Sequence, residues 1–156
     1  MRPLMLAIAV ALAAACDSPT APRQYADVRT DADTYAAART VLESGVQIFD
    51  FRAIVTIENT GTRPLPLARC GADLIYSMER VDGGRSAFVW GWGCAATPPL
   101  VLAPGETLTD TVDVSGHSGA ALGGAVPLVD GTHRLLYSGP GGLIRSRPFE
   151  VVLLDE

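Results

Sequence analysis

The sequence predicts an all-β protein, an antiparallel sandwich of seven or eight short strands. Apolar residues recur at every second position in several segments, which is the period of a strand with one buried face. Clusters of Gly, Pro, Asn and Asp separate those segments at intervals of roughly 8–15 residues. The composition agrees. Sixteen Gly and eleven Pro in 156 residues are too many for a helical bundle, and a hydrophobic share of 48% is too high for a disordered chain. The length suits one domain. A net charge of −5 argues against a partner held by nucleic-acid phosphates.

The chain opens MRPLMLAIAVALAAAC. Arg2 supplies a positive start, and Leu4 to Ala15 is an uncharged apolar run of twelve residues. That run is shorter than the roughly 20 residues a membrane-spanning helix needs, and it has the length of a signal-peptide core. Residues 1–15 therefore read as a signal peptide. Leu12-Ala13-Ala14-Ala15-Cys16 resembles the lipobox of bacterial lipoproteins, with Leu one place further from the Cys than in the commonest pattern. The resemblance implies cleavage before Cys16 and lipidation of its sulfur, which anchors the chain to a membrane. The other reading is an ordinary secretory signal cleaved near Ala15. Removing residues 1–15 leaves eleven Arg against seventeen acids, a net charge of −6.

Residues 17–33, DSPTAPRQYADVRTDAD, carry Pro, Asp, Ser and Thr without an apolar period. They read as a tether. With Cys16 and the Ala36-Ala37-Ala38 tract, which could close a helical turn, the segment before the domain runs over 16–38 and the sandwich over 39–156. Thr40-Val41-Leu42 is the first extended stretch. Gln47 to Asn59 is the clearest strand. Phe49, Phe51, Ala53, Val55 and Ile57 alternate with polar residues there. Asn59-Thr60-Gly61-Thr62 turns the chain, and Pro64 and Pro66 mark an edge or irregular stretch. Leu74–Val81 and Ser86–Gly93 form a hairpin about Asp82-Gly83-Gly84-Arg85. Leu100–Leu102 is a short strand. Pro104-Gly105 suits the centre of a type II turn, and Leu108, Val112 and Val114 alternate after it. Gly116 to Gly124 reads as a small-residue loop. Thr132–Ser138 follows Asp130-Gly131, and Ile144–Leu154 closes the chain, with Phe149, Val151 and Leu153 on one face.

With Cys16 lipidated, Cys70 and Cys94 remain. Export places them in an oxidising compartment, where a disulfide is the default. Centring the hairpin on Gly83-Gly84 makes opposed residue numbers sum to 167. Cys94 then falls opposite Asp73, and Gly71 could kink the chain to bring Cys70 back within reach. The other reading is two buried thiols. No CxxC motif or His cluster accompanies them, so no metal and no cofactor is expected.

The pieces IVTIENTGTRPLPL, SAFVWGWGC, LVLAPGETLTDTVDV, VDGTHRLLYSG and SRPFEVVL span about residues 47–154. Together they resemble bacterial immunoglobulin-like domains grouped with the intracellular proteinase inhibitor of bacilli. The resemblance implies an immunoglobulin-like fold. His133 stands where such domains often carry Tyr. The Cys pair and signal segment suit an exported protein, so protease inhibition is not simply carried over.

Phe88, Trp90 and Trp92 alternate along one strand face. They read either as an exposed aromatic platform or as core. With the Asp82–Arg85 tip they form the candidate contact surface for an envelope protein or peptide. Ala95-Ala96-Thr97-Pro98-Pro99 is the loop stiff enough to occupy a protease cleft. Ser118, after His117, lacks the second glycine of a G-x-S-x-G elbow, because Ala120 stands there. With His133 as base it would make an esterase-like hydrolase. A flexible polar loop is the plainer reading, and no catalytic residue is assigned. Asp110, Asp113 and Asp130 match no calcium-loop spacing. Arg145 and Arg147 read as charges that protect an edge strand. The sequence thus points to an exported, lipid-anchored, non-catalytic binding or structural module of the cell envelope.

Overall fold

The structure is a computed structural model that describes residues 25–81, 88–89, 97–117, 128–139 and 141–154. The protein is all-β. Among the described residues there are thirteen strands and no helix, more strands than the seven or eight expected. They are β1 (Ala26–Thr30), β2 (Thr34–Val41), β3 (Gln47–Asn59), β4 (Leu65–Leu67), β5 (Arg69–Cys70), β6 (Asp73–Leu74), β7 (Tyr76–Arg80), β8 (Phe88–Val89), β9 (Leu100–Leu102), β10 (Thr107–His117), β11 (Gly131–Gly139), β12 (Gly142–Arg145) and β13 (Phe149–Leu153).

β3 organises one half. It has the predicted bounds, and Phe49, Phe51, Ala53, Val55 and Ile57 are all buried. One edge pairs antiparallel with β10, from Ile48 opposite His117 to Glu58 opposite Thr107. The other edge takes β1 against its C-terminal end and β2 against its N-terminal end. β11 organises the other half, with β7 on one edge, β12 and β13 on the other, and β8 beyond β7. β2 joins the halves. Ala38–Val41 pair with β3, while Thr34–Ala37 run parallel to Glu150–Leu153 of β13. β4 pairs with β9, and β5 with β6, as separate two-stranded ribbons.

The halves share a core. The ring of Tyr35 on β2 stacks on Phe51 of β3 at 5.1 Å and meets Phe149 of β13 edge-on at 5.4 Å, and the Phe51 and Phe149 rings lie 6.2 Å apart. Such contacts add about 0.5–1.5 kcal/mol each beyond area burial. The Tyr76 hydroxyl on β7 donates to the Asp113 carbonyl on β10 at 2.8 Å.

Three differences from the sequence reading have physical causes. Composition places residues 26–38 ahead of the domain, whereas β1 and most of β2 lie there. Asp31 makes this possible. Its Oδ1 accepts from the Tyr35 hydroxyl at 2.6 Å and from the Ile54 amide at 2.8 Å, and its own amide donates to the Ile54 carbonyl at 2.9 Å. An exposed acid thereby staples the crossover to β3. The pairing of Thr34–Ala37 with β13 and of Ala38–Val41 with β3 excludes a helical turn at Ala36–Arg39, which lies within β2.

The second difference is that the predicted final strand is two strands. His133 faces Phe149 and Leu136 faces Arg145, so Ser146, Arg147 and Pro148 stand against Arg134 and Leu135. This is a bulge. Ser146 Oγ accepts from the Leu135 amide at 2.9 Å, and the Arg147 amide donates to Val28 of β1 at 2.9 Å. The third concerns the hairpin. Ser77 faces Val89 and Met78 faces Phe88, so opposed numbers sum to 166 and not 167. A one-residue slip exchanges the faces of a strand. The Pro104-Gly105 turn is as predicted. Gly105 has φ +77°, and the Glu106 amide donates to the Ala103 carbonyl at 2.9 Å.

Candidate functional site

Cys70 lies half-buried on β5 and is disulfide-bonded. It faces Asp73 across a two-residue turn in which Gly71 takes φ +62°, the backbone such a turn needs at its first central position. Cys16, Cys94, Asp82, Arg85, Trp90, Trp92 and Ser118 lie outside the described residues. Of the aromatic strand, the backbone of Phe88 is placed opposite Met78, which is buried. His133 is fully buried on β11, with Nδ1 2.7 Å from the Gly131 carbonyl. That carbonyl only accepts, so Nδ1 carries the proton. Thr97 and Pro98 are tied to the β5–β6 ribbon. The Arg69 Nε donates to the Pro98 carbonyl at 2.7 Å, and the Gly71 amide donates to Thr97 Oγ1 at 3.3 Å. Arg145 and Arg147 are engaged by acids. Arg145 reaches Glu79 at 3.3 Å, and Arg147 reaches Asp27 at 3.0 Å.

A cleft of about 430 Å³ opens beside the start of β1, lined by Tyr25, Gly61, Thr62, Arg63, Pro64 and Leu65. Asn59, at the end of β3, shapes its wall. Its side chain is fully buried. Nδ2 donates to the Arg63 carbonyl at 2.9 Å and to the Leu102 carbonyl at 2.9 Å, and Oδ1 accepts from the Gly61 amide at 3.0 Å. The Gly61 amide also donates to the Tyr25 carbonyl at 3.1 Å. A Cβ at position 61 would stand 3.4 Å from the Tyr25 Cβ and 3.2 Å from Asn59 Oδ1. The 3.2 Å approach is the tight one, so glycine leaves room for the Asn59 amide, whereas 3.4 Å from Tyr25 is ordinary contact. Leu65 is buried, whereas Tyr25 is half exposed and Arg63 exposed. The sequence marks 59–62 only as a turn, and nothing in the local pattern signals that Tyr25 returns to it.

A second, smaller cleft of about 150 Å³ is lined by Asp73, Leu74, Tyr76, Asp110, Thr111 and Asp113. Burial, with Asp73 nearby, holds the Asp110 carboxyl above its ordinary range. Asp113 is engaged by Arg52 at 2.6 Å. Among the described residues no three His, Cys, Asp or Glu side chains are grouped to hold a metal ion.

No family model matches the chain. No curated protein matches it either. Several solved structures are similar in shape. One is the Pseudomonas fluorescens alkylpurine DNA glycosylase AlkC bound to DNA containing an abasic site analog. It has 12% identity and a TM-score of 0.38, over 84% of this chain and 31% of that one. A second is the Northeast Structural Genomics Consortium target SoR45, at 13% identity and a TM-score of 0.42, over 81% of this chain and 84% of that one. A third is the β-glucosidase EmGH1 from Erythrobacter marinus, at 12% identity and a TM-score of 0.37, over 81% of this chain and 15% of that one. The chain therefore spans less than a third of the glycosylase and a smaller part of the glucosidase.

Proposed function

We propose that this protein is an exported, lipid-anchored lipoprotein whose immunoglobulin-like β-sandwich is a non-catalytic binding or structural module of the cell envelope. The disulfide at Cys70 carries this reading, because such bonds persist in oxidising compartments and are rare in the cytosol. Cys94 is the proposed partner, which leaves Cys16 for acylation. Each buried acyl CH₂ contributes about 0.8 kcal/mol of membrane affinity, so two or more chains hold the domain at the surface. The core shared by β3 and β11, closed by Tyr35, Phe51 and Phe149, supports the sandwich.

The test is expression of the full chain and of Cys16→Ala in a bacterial host, followed by fractionation and intact mass. The wild type is expected in the membrane fraction, without residues 1–15 and carrying acyl mass on Cys16. The variant is expected to lose that mass and the membrane association. Soluble, unacylated wild-type protein would reject the reading.

A second reading is a protease inhibitor of the type the resemblance names. The pinning of Thr97 and Pro98 by Arg69 and Gly71 favours it, since a loop held in place loses little entropy on entering a cleft. Incubation with serine, cysteine and metalloproteases tests it. Undiminished cleavage of a reporter by all three removes it.

A further inference from the structure

We propose that the cleft between Tyr25 and Arg63 binds a small organic anion whose carboxylate or phosphate is carried on a flat ring. Charge is the first reason. The side chains of Arg29, Arg52, Arg134, Arg145 and Arg147 all reach carboxylates, and that of Arg69 reaches a backbone carbonyl. Arg63 shares with Arg39 a guanidinium that has no hydrogen bond or ion pair among the described residues, but only Arg63 of these two stands exposed and lines a cleft. In a chain of net charge −5, a planar cation without an acid partner is a ready fork for a carboxylate or phosphate. The Thr62 hydroxyl, also in the lining, offers a further donor.

The apolar wall is the second reason. Tyr25 is 52% exposed and borders the same opening, with Pro64 and Leu65 completing the lining. An aromatic ring beside a cation suits a ligand with a flat apolar body and one anionic end. Size and rigidity are the third. A cleft of about 430 Å³ falls in the range of small-molecule sites, roughly 300–1,000 Å³. Its turn is held by the three hydrogen bonds of Asn59 and by the Gly61–Tyr25 contact, so little ordering is needed on binding. The inference does not require that Cys16 carry lipid.

The test is a titration of the ¹⁵N-labelled full chain at constant ionic strength, following the amide signals of Tyr25 and Gly61–Leu65. The probes are benzoate and phenyl phosphate, with acetate as an anion without a ring and benzylamine as a ring of opposite charge. At least one aromatic anion is expected to give saturable shifts confined to these residues, about tenfold tighter than acetate or benzylamine. Arg63→Gln is expected to weaken that binding about tenfold and Tyr25→Leu about threefold. Both side chains are exposed, so the unfolding midpoints of the variants should match the wild type. Arg63→Lys, which keeps the charge but loses the fork, should fall between Arg and Gln. Equal binding of benzylamine and benzoate, unchanged affinity in Arg63→Gln, or no saturable shift with either aromatic anion overturns the proposal.

Discussion

Replacing Asn59 with alanine removes three hydrogen bonds at once. In the native protein Nδ2 serves two carbonyls, those of Arg63 and Leu102, and Oδ1 serves the Gly61 amide. The side chain is fully buried, so water does not readily replace it. A typical intramolecular hydrogen bond contributes about 1 kcal/mol net. Three give about 3 kcal/mol, and the Leu102 carbonyl left without this donor adds to the loss. For a domain of this size that corresponds to a fall in unfolding midpoint of about 10 °C. Urea unfolding of the wild type and of Asn59→Ala measures it directly, with equal slopes showing that stability alone has changed. Asn59→Asp sharpens the test. It keeps one acceptor for Gly61 but turns a second oxygen toward two carbonyls, so it should be at least as damaging as alanine. A loss below about 1 kcal/mol for alanine, or a neutral aspartate, would refute the clamp.

Further outcomes follow from other contacts. Gly116→Ala places a Cβ 2.5 Å from the Leu128 Cβ. It should cost about 1–3 kcal/mol by overpacking, read by urea midpoint. Phe149→Ala empties the centre of the aromatic trio and should cost about 3–5 kcal/mol in the same assay. Asp31 supplies a pH dependence. The Tyr35 hydroxyl, then the Ile54 amide, hold its carboxyl below the ordinary range, while burial and Asp31 push the Tyr35 hydroxyl up to about 12. A depressed folded value contributes stability above the unfolded value and loses it as pH falls through the folded one. Relative to Asp31→Asn, the wild type should therefore lose stability as pH drops below about 4, and a pH-independent difference would contradict this. Asp110 has the opposite sign. Its raised value favours the folded state at acid pH and is lost as pH rises, so Asp110→Asn should flatten that limb.

β3 was legible to the residue because its period and its burial coincide over thirteen positions. The Pro104-Gly105 turn was legible because only one backbone satisfies that pair. β1 and β2 were hidden for a different reason. Their inward residues are Ala26, Val28, Tyr35 and Ala37, and exposed Ala36 and Ala38 erase the polar half of the alternation. What orders this segment is Asp31 reaching Ile54, a contact 23 residues away that no local pattern encodes. The bulge at Ser146–Pro148 was signalled by Pro148, which has no amide to give a ladder, and by the polar Arg145-Ser146-Arg147 before it. The register of β7 and β8 lies one residue off a symmetric centring on Gly83-Gly84, and two adjacent glycines in the sequence do not select one centre over the next. The cleft was not legible, since it joins Tyr25 to a turn that follows three strands later.

Tyr25 is the first described residue, directly before β1, and under the proposed anchoring that position constrains any ligand of the cleft. Nine residues lie between Cys16 and Ala26, and the ten Cα–Cα steps reach at most roughly 35 Å when fully extended. With Cys16 acylated, the cleft therefore lies at the tethered end of the domain, within a few nanometres of lipid headgroups. Anionic headgroups would then compete with a small anion for Arg63, more strongly at low salt because the Debye length lengthens as ionic strength falls. A ring carrying a single charge gains its advantage over a headgroup from Tyr25 rather than from Arg63. Tyr25→Leu should thus narrow the preference for aromatic anions over acetate while leaving the salt dependence unchanged, and Arg63→Gln should do the reverse.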